Sequence, residues 1–183
     1  FLQQYPEVEL SLTQMSTEEI YNQLLAGSLD FGIINEVEKQ PQLKSKLLFS
    51  LPYQLLVFKT HPFAQREAIT LEELAKEPLI SLPPSQRNRM IDKLCAETQI
   101  RPNIVFEGAP DIMREMFHSG IGSILTCSHN YRQWMKLSED YYTLLNISGI
   151  SARYETYLVW AKQRYQSRWV SLIKKWMFDY YHV

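Results

Sequence analysis

The order of apolar and polar positions divides the chain into short alternating elements. From Glu7 to Gln14, Val8, Leu10 and Leu12 fall on one side and Glu9, Ser11 and Thr13 on the other, the period-two pattern of a half-buried strand. Ser16-Thr17-Glu18-Glu19 has the spacing of a capping box, with Ser16 as N-cap and Glu19 reaching back. Ile20 with Leu24, and Tyr21 with Leu25, follow at helical spacing, and Gly27 stands where a left-handed residue closes a helix. Asp30 to Ile34 reads as a short buried strand. Strand, helix and strand in that order predict a βαβ unit with a parallel pair.

Leu47 to Phe58 is an apolar stretch interrupted by Pro52, read as two strand segments with a bend. Thr70 to Leu74 is a short capped helix, Leu79 to Leu82 a strand closed by Pro83-Pro84. Ser85 is placed to cap a helix carrying Met90, Ile91, Leu94 and Cys95 on one face. Asn103 to Glu107 is a strand, and the helix after Pro110 sets Ile112, Met113, Met116 and Phe117 toward a core and ends at Gly120. Ser123 to Leu125 is a strand, Asn130 to Leu137 a helix, and Tyr141 to Ile147 and Tyr154 to Trp160 are strands. A final helix carries Trp169, Leu172, Ile173, Trp176 and Met177 in a wide apolar stripe. Strands alternate with helices throughout, so the fold class is α/β with mostly parallel sheets. The central strand–helix run from after Ser50 to near Gly149 is self-contained, which favours two lobes over one continuous sheet.

Composition narrows the function. Nineteen Lys and Arg against 20 Asp and Glu leave a net charge of −1, too little basic excess for this segment to grip nucleic acid unaided. Two cysteines, Cys95 and Cys127, do not make a disulfide framework and suit a reducing compartment. No apolar run approaches the ~20 residues that span a bilayer. Phe1-Leu2-Gln3-Gln4-Tyr5-Pro6 reads like the tail of a helix entered mid-element, and the chain is expected to be a fragment of a longer protein.

Several segments together resemble one family. Tyr5-Pro6-Glu7-Val8-Glu9-Leu10 is similar to the YP-x-V-x-L entry of the effector domain of LysR-type transcriptional regulators, and Leu25 to Ile33 to its L-x-x-G-x-L-D-x-x-I segment. His61-Pro62-Phe63-Ala64 matches an HP-L/F-A signature, Leu71-Glu72-Glu73-Leu74-Ala75 with Pro78-Leu79-Ile80 the segment after it, and Gly120-Ile121-Gly122 a late G-x-G turn. Thr126-Cys127 stands where the family usually has a proline. The resemblance implies a fold like the type 2 periplasmic binding proteins: lobe I of residues 1–50 and 150–183, lobe II of residues 51–149, two hinge strands and a ligand cleft. It also implies that the family's first strand, most of its first helix and the loop between them precede Phe1.

Open α/β folds bind ligands at the carboxyl ends of strands, where helix N-termini favour small anions. Four places qualify. Gln14, Ser16 and Thr17 lie between strand and helix, where Ser16 either binds a carboxylate or only caps its helix. Asn35 follows a strand, and the resemblance makes it ligand-facing. In Pro83-Pro84-Ser85-Gln86-Arg87, Arg87 either clamps an anion through two bonds or is a surface arginine. Gly108-Ala109 and Thr126-Cys127 are loops expected to face the cleft. The histidines lack metal-ligand spacing. Cys127 near His129 invites a nucleophile or a redox thiol, but no third orienting group accompanies them. The methionine and tryptophan stripes are core. No catalytic residues, metal or cofactor are expected.

The expected function is ligand-controlled transcription. A cytoplasmic sensor binds a small effector, an anion or polar metabolite, and shifts a pre-existing equilibrium. The resemblance implies a homodimer, a tetramer when full-length, and promoter DNA contacted only through a winged helix-turn-helix outside this chain. A transporter's solute-binding protein and an enzyme on the same two-lobed fold are the rival readings.

Overall fold

The computed structural model describes residues 1–35, 37–83, 90–127, 140–163 and 167–183, and divides into two compact units. Unit 1 comprises Phe1–Ser50 and Glu155–Val183, unit 2 Leu51–Tyr154. The boundaries fall inside β2 (Leu43–Pro52) and β9 (Arg153–Ala161), so the chain crosses between the units twice.

In unit 1, β1 (Gly32–Ile34), β9 and β2 form a three-stranded sheet in the order β1-β9-β2. Helix α1 (Thr17–Ala26) begins with the capping box expected of Ser16 and Glu19 and ends on Gly27 at φ 81°. Its Ile20, Tyr21 and Leu24 pack with Ile34, Leu43 and Val159. Helix α5 (Arg168–Tyr181) buries Val170, Ile173 and Met177, and the last two pack with Leu48 and Leu158. Trp176, expected in that core, is 38% exposed and stacks on Tyr180 instead.

The strand expected over Glu7–Gln14 is not formed. Leu10 and Leu12 are exposed and the segment carries no ladder. Alternation gives a strand two faces, but only a neighbouring strand satisfies its N–H and C=O groups, and none of the described residues supplies one. The predicted parallel βαβ pair therefore does not appear: β1 runs antiparallel to β9, with Gly32 opposite Val159 and Ile34 opposite Tyr157. In β1, moreover, Ile33 is exposed.

Unit 2 is built on a six-stranded sheet in the order β4-β8-β3-β7-β5-β6. Its strands are β3 (Gln54–Phe58), β4 (Ala68–Ile69), β5 (Pro78–Ser81), β6 (Asn103–Glu107), β7 (Ser123–Thr126) and β8 (Tyr142–Ile147). β3 is antiparallel to both β7 and β8, while β4–β8, β5–β6 and β5–β7 are parallel. Five strands thus run one way and β3 alone runs the other. Helices α2 (Leu71–Lys76), α3 (Met90–Thr98) and α4 (Pro110–His118) connect them. One core gathers Leu55, Val57, Leu74, Leu79, Leu94 and Leu145, and a second Leu56, Ile80, Met113, Phe117 and Ile124. Ile112, expected in the core, is half exposed. The helix expected over Asn130–Leu137 lies outside the described residues.

The motif segments of the sequence have structural reasons. His61 accepts the Phe63 N–H at Nδ1, which leaves Nε2 to face the buried Glu77 carboxylate at 3.1 Å. The same Glu77 oxygen accepts the buried Ser123 hydroxyl at 2.6 Å. The HP-x-A turn, the end of α2 and the start of β7 are thus joined through one carboxylate. Beside it, Arg66 makes a two-pronged pair with Glu73 at 2.7 and 2.8 Å, and that bond holds the Glu73 carboxyl down at about 2.

The two glycines of Gly120-Ile121-Gly122 do different work. Gly120 is left-handed, at φ +73°, with open space around it. Gly122 lets β7 approach β5: a Cβ there would stand 2.5 Å from the Pro78 carbonyl oxygen. Gly120→Ala is expected to cost ~1 kcal/mol from backbone strain. Gly122→Ala is expected to cost more, about 2–3 kcal/mol, because backbone must move apart. Paired thermal melts check the order, and equal losses would remove the close-approach explanation.

Candidate ligand site

Because β5, β6 and β7 are parallel, their carboxyl ends lie along one edge of the unit 2 sheet. Ser81, Gly108 and Thr126 come to that edge, and the Gly108 N–H donates to the Ser81 carbonyl at 3.1 Å. β3 starts there, since Gln54 stands opposite both Thr126 and Asn146. The result is a row of polar side chains, Asn146, Gln54 and Thr126, across three neighbouring strands. Gln54 Nε2 donates to Asn146 Oδ1 at 3.0 Å, whereas Gln54 Oε1 is buried and takes no hydrogen bond among the described residues. A buried acceptor without a donor costs on the order of 1–3 kcal/mol. Gln54 and Asn146 escaped the sequence reading. Each is the single amide in its strand, Gln54-Leu55-Leu56-Val57-Phe58 and Tyr142-Thr143-Leu144-Leu145-Asn146-Ile147, and that contrast was the available signal.

Ala109 is the N-cap of α4 and supplies no side-chain cap, and Pro110 has no N–H to satisfy. The positive end of α4 therefore opens beside Gly108, although Asp111 in its first turn, 3.1 Å from Arg114, offsets part of that field. Gly108 is confined by its own surroundings, since a Cβ would meet the Phe106 ring at 2.6 Å. Thr126 is buried, and Cys127 beside it is a fully buried thiol rather than an exposed one.

The remaining sequence candidates belong to unit 1. The Ser16 hydroxyl is engaged in its cap, accepting the Glu19 N–H and donating to the Glu19 carboxylate at 2.7 Å. Gln14 and Thr17 are exposed beside it. The Asn35 amide donates to the Glu155 carbonyl at 3.2 Å and to the buried Thr156 hydroxyl at 3.0 Å, tying the end of β1 to β9. Next to it the Tyr157 hydroxyl donates to Glu155 at 2.7 Å, a bond that pushes the phenol up to about 12. Ser85, Gln86 and Arg87 lie outside the described residues. Among the described residues, no group of three or more His, Cys, Asp or Glu is arranged to hold a metal. No helix among them is long and apolar enough to cross a membrane.

A mostly parallel sheet with a reversed strand, in a unit inserted between two halves of another, matches a known family over nearly its whole length: the LysR substrate binding domain model covers residues 1–180. The chain belongs to the LysR substrate-binding domain family. Such domains bind effectors for transcriptional regulators and are not enzymes. This LysR domain is 28% identical over 184 residues to the uncharacterized HTH-type transcriptional regulator YybE of Bacillus subtilis (strain 168), covering 99% of the chain and 61% of that protein. It thus spans about three fifths of that curated relative's length. Among solved structures it is similar to the BenM effector binding domain with its effector benzoate, at TM-score 0.81 and 18% identity over 99% of this chain and 82% of that one. It is also similar to the effector binding domain of QuiR in complex with shikimate, at TM-score 0.75 and 22% identity, covering 99% and 88%. These likenesses establish the type 2 periplasmic-binding-protein-like fold.

Proposed function

We propose that this domain is the sensing part of a LysR-type regulator and that its effector is a small carboxylate carrying a hydroxyl or amino group. The observation that carries this is the strand-end edge of unit 2, which has the unpaired buried Gln54 Oε1 on β3 and the uncapped α4 N-terminus after β6, with β7 and β5 between them. The helix end favours a carboxylate, and the Gln54 oxygen needs a donor. Benzoate and shikimate, bound by BenM and QuiR, are carboxylates, which agrees with that class. In the whole protein the domain acts in the cytoplasm as a homodimer or tetramer, and promoter DNA is held by a helix-turn-helix outside this chain. Ligand binding stabilises one of two pre-existing arrangements and so sets promoter occupancy.

A thermal-shift panel of benzoate, shikimate, lactate, glycolate and serine tests the reading. A ligand at a hundred times its Kd stabilises the folded state by about 2.7 kcal/mol. Gln54→Leu and Thr126→Val are expected to abolish the shift given by a hydroxy- or amino-acid hit. Gln54→Leu is expected to leave the free domain at least as stable as before, because it removes an unpaired buried acceptor. A hit that both variants retain would move the site elsewhere. Asn35→Ala is the corresponding test in unit 1, to be read against its own loss of stability, since it also unties β1 from β9.

A further inference from the structure

Unit 1 carries a concavity of about 390 Å³, of the size that holds a small organic molecule. Tyr21, Leu43 and Val159, all buried, line its floor, and the exposed Lys39, Lys44 and Lys162 line its rim. It lies apart from Asn35. In the β1–β9 ladder Val159 stands opposite Gly32, at the start of β1, and the Lys162 N–H donates to Gln42, whereas Asn35 follows the end of β1. The rim is fixed from two sides. The Glu38 N–H donates to the Tyr21 hydroxyl at 2.9 Å, and Lys162 Nζ donates to the Pro41 carbonyl at 2.6 Å. Two ammonium groups, of Lys39 and Lys162, thus stand beside an apolar floor; among the described lining residues Glu38 is the one acid, and no described carboxylate pairs with either lysine. A basic rim on an apolar floor suits a ligand that is itself anionic at one end and apolar at the other.

We propose that this concavity is a second ligand site, which takes a small organic anion. Its apolar body lies on Tyr21, Leu43 and Val159, and its carboxylate or phosphate is held by Lys39 and Lys162. The test is an amide NMR titration of the 183-residue chain with three probes at physiological ionic strength. Phenyl phosphate has both parts, benzyl alcohol only the body, and inorganic phosphate only the charge. Phenyl phosphate is expected to shift the amides of residues 37–45 and 162 saturably. Its affinity is expected to be about tenfold above that of either half-probe, and to fall about tenfold in the double variant Lys39→Gln, Lys162→Gln. These side chains are exposed, so the variant's melting temperature should hold. Inorganic phosphate binding as well as phenyl phosphate would reduce the site to diffuse attraction, and benzyl alcohol doing so would reduce it to an apolar dent. Either result overturns the proposal, as do shifts that fall elsewhere or never saturate, and an affinity the double variant leaves unchanged.

Discussion

Phe117→Ala is expected to remove about 3–5 kcal/mol of stability, the cost of deleting a wholly buried aromatic ring. The ring is fully enclosed by Leu56, Ile80, Met113, Ile124 and Tyr142, and stacks on Phe58 with centroids 4.4 Å apart and planes 13° from parallel. It joins α4 to the sheet, so the gap would open beneath the helix whose N-terminus borders the proposed site. Urea unfolding measures the loss. Phe117→Leu should recover roughly half of it, because most of the volume returns. A deficit under about 1 kcal/mol would mean that α4 settles into the gap, and that the cluster is far more compliant than its packing indicates.

Glu77→Ala is expected to cost about 2–4 kcal/mol, the range for breaking a buried charged hydrogen-bond pair and stranding its partners. The Ser123 hydroxyl, itself buried, loses its acceptor, and His61 Nε2 loses the carboxylate at 3.1 Å. Comparing Glu77→Ala, Ser123→Ala and the double variant separates pair energy from desolvation. The double variant should be less destabilised than the sum, since the second change removes the group that the first left unpaired. Strict additivity would show that the two side chains are neighbours without energetic coupling.

How much could be read beforehand depended on how local the cause was. Ser16 and Glu19, or Thr70 and Glu73, close capping boxes within four residues, and both caps are present as the spacing indicates. Pro52 ends one strand and Gln54 begins the next, as its missing N–H requires. The strand expected over Glu7–Gln14 failed because alternation reports the faces of a strand but not its neighbour. The two-residue β4, which lies against Asn146 and Ile147, was too short to announce itself. The candidate site divides in the same way. Gly108, Ala109 and Thr126 were legible because they end elements. Gln54 and Asn146 were not, since only the register of β3 against β8 sets them side by side. Ser16 and Asn35 were legible as polar residues at element ends, yet both have structural bonds that the sequence could not assign.

The division of the chain also bears on how the molecule assembles. Unit 2 is one continuous stretch, Leu51–Tyr154, and every strand it needs lies within it. Unit 1 needs two pieces that stand on either side of that stretch: β1 finds no ladder until β9 has been made. Closing a flexible loop of that length costs roughly 4 kcal/mol in chain entropy. A folded unit 2 pre-pays much of that cost by bringing its own ends into fixed positions. The cluster of Tyr21 and Leu24 is likewise complete only once Val159 of β9 has joined Ile34 and Leu43. The middle stretch can thus close on its own, while the stretch before it keeps apolar surface open until the stretch after it is made, and that open surface is the part most in need of protection from aggregation.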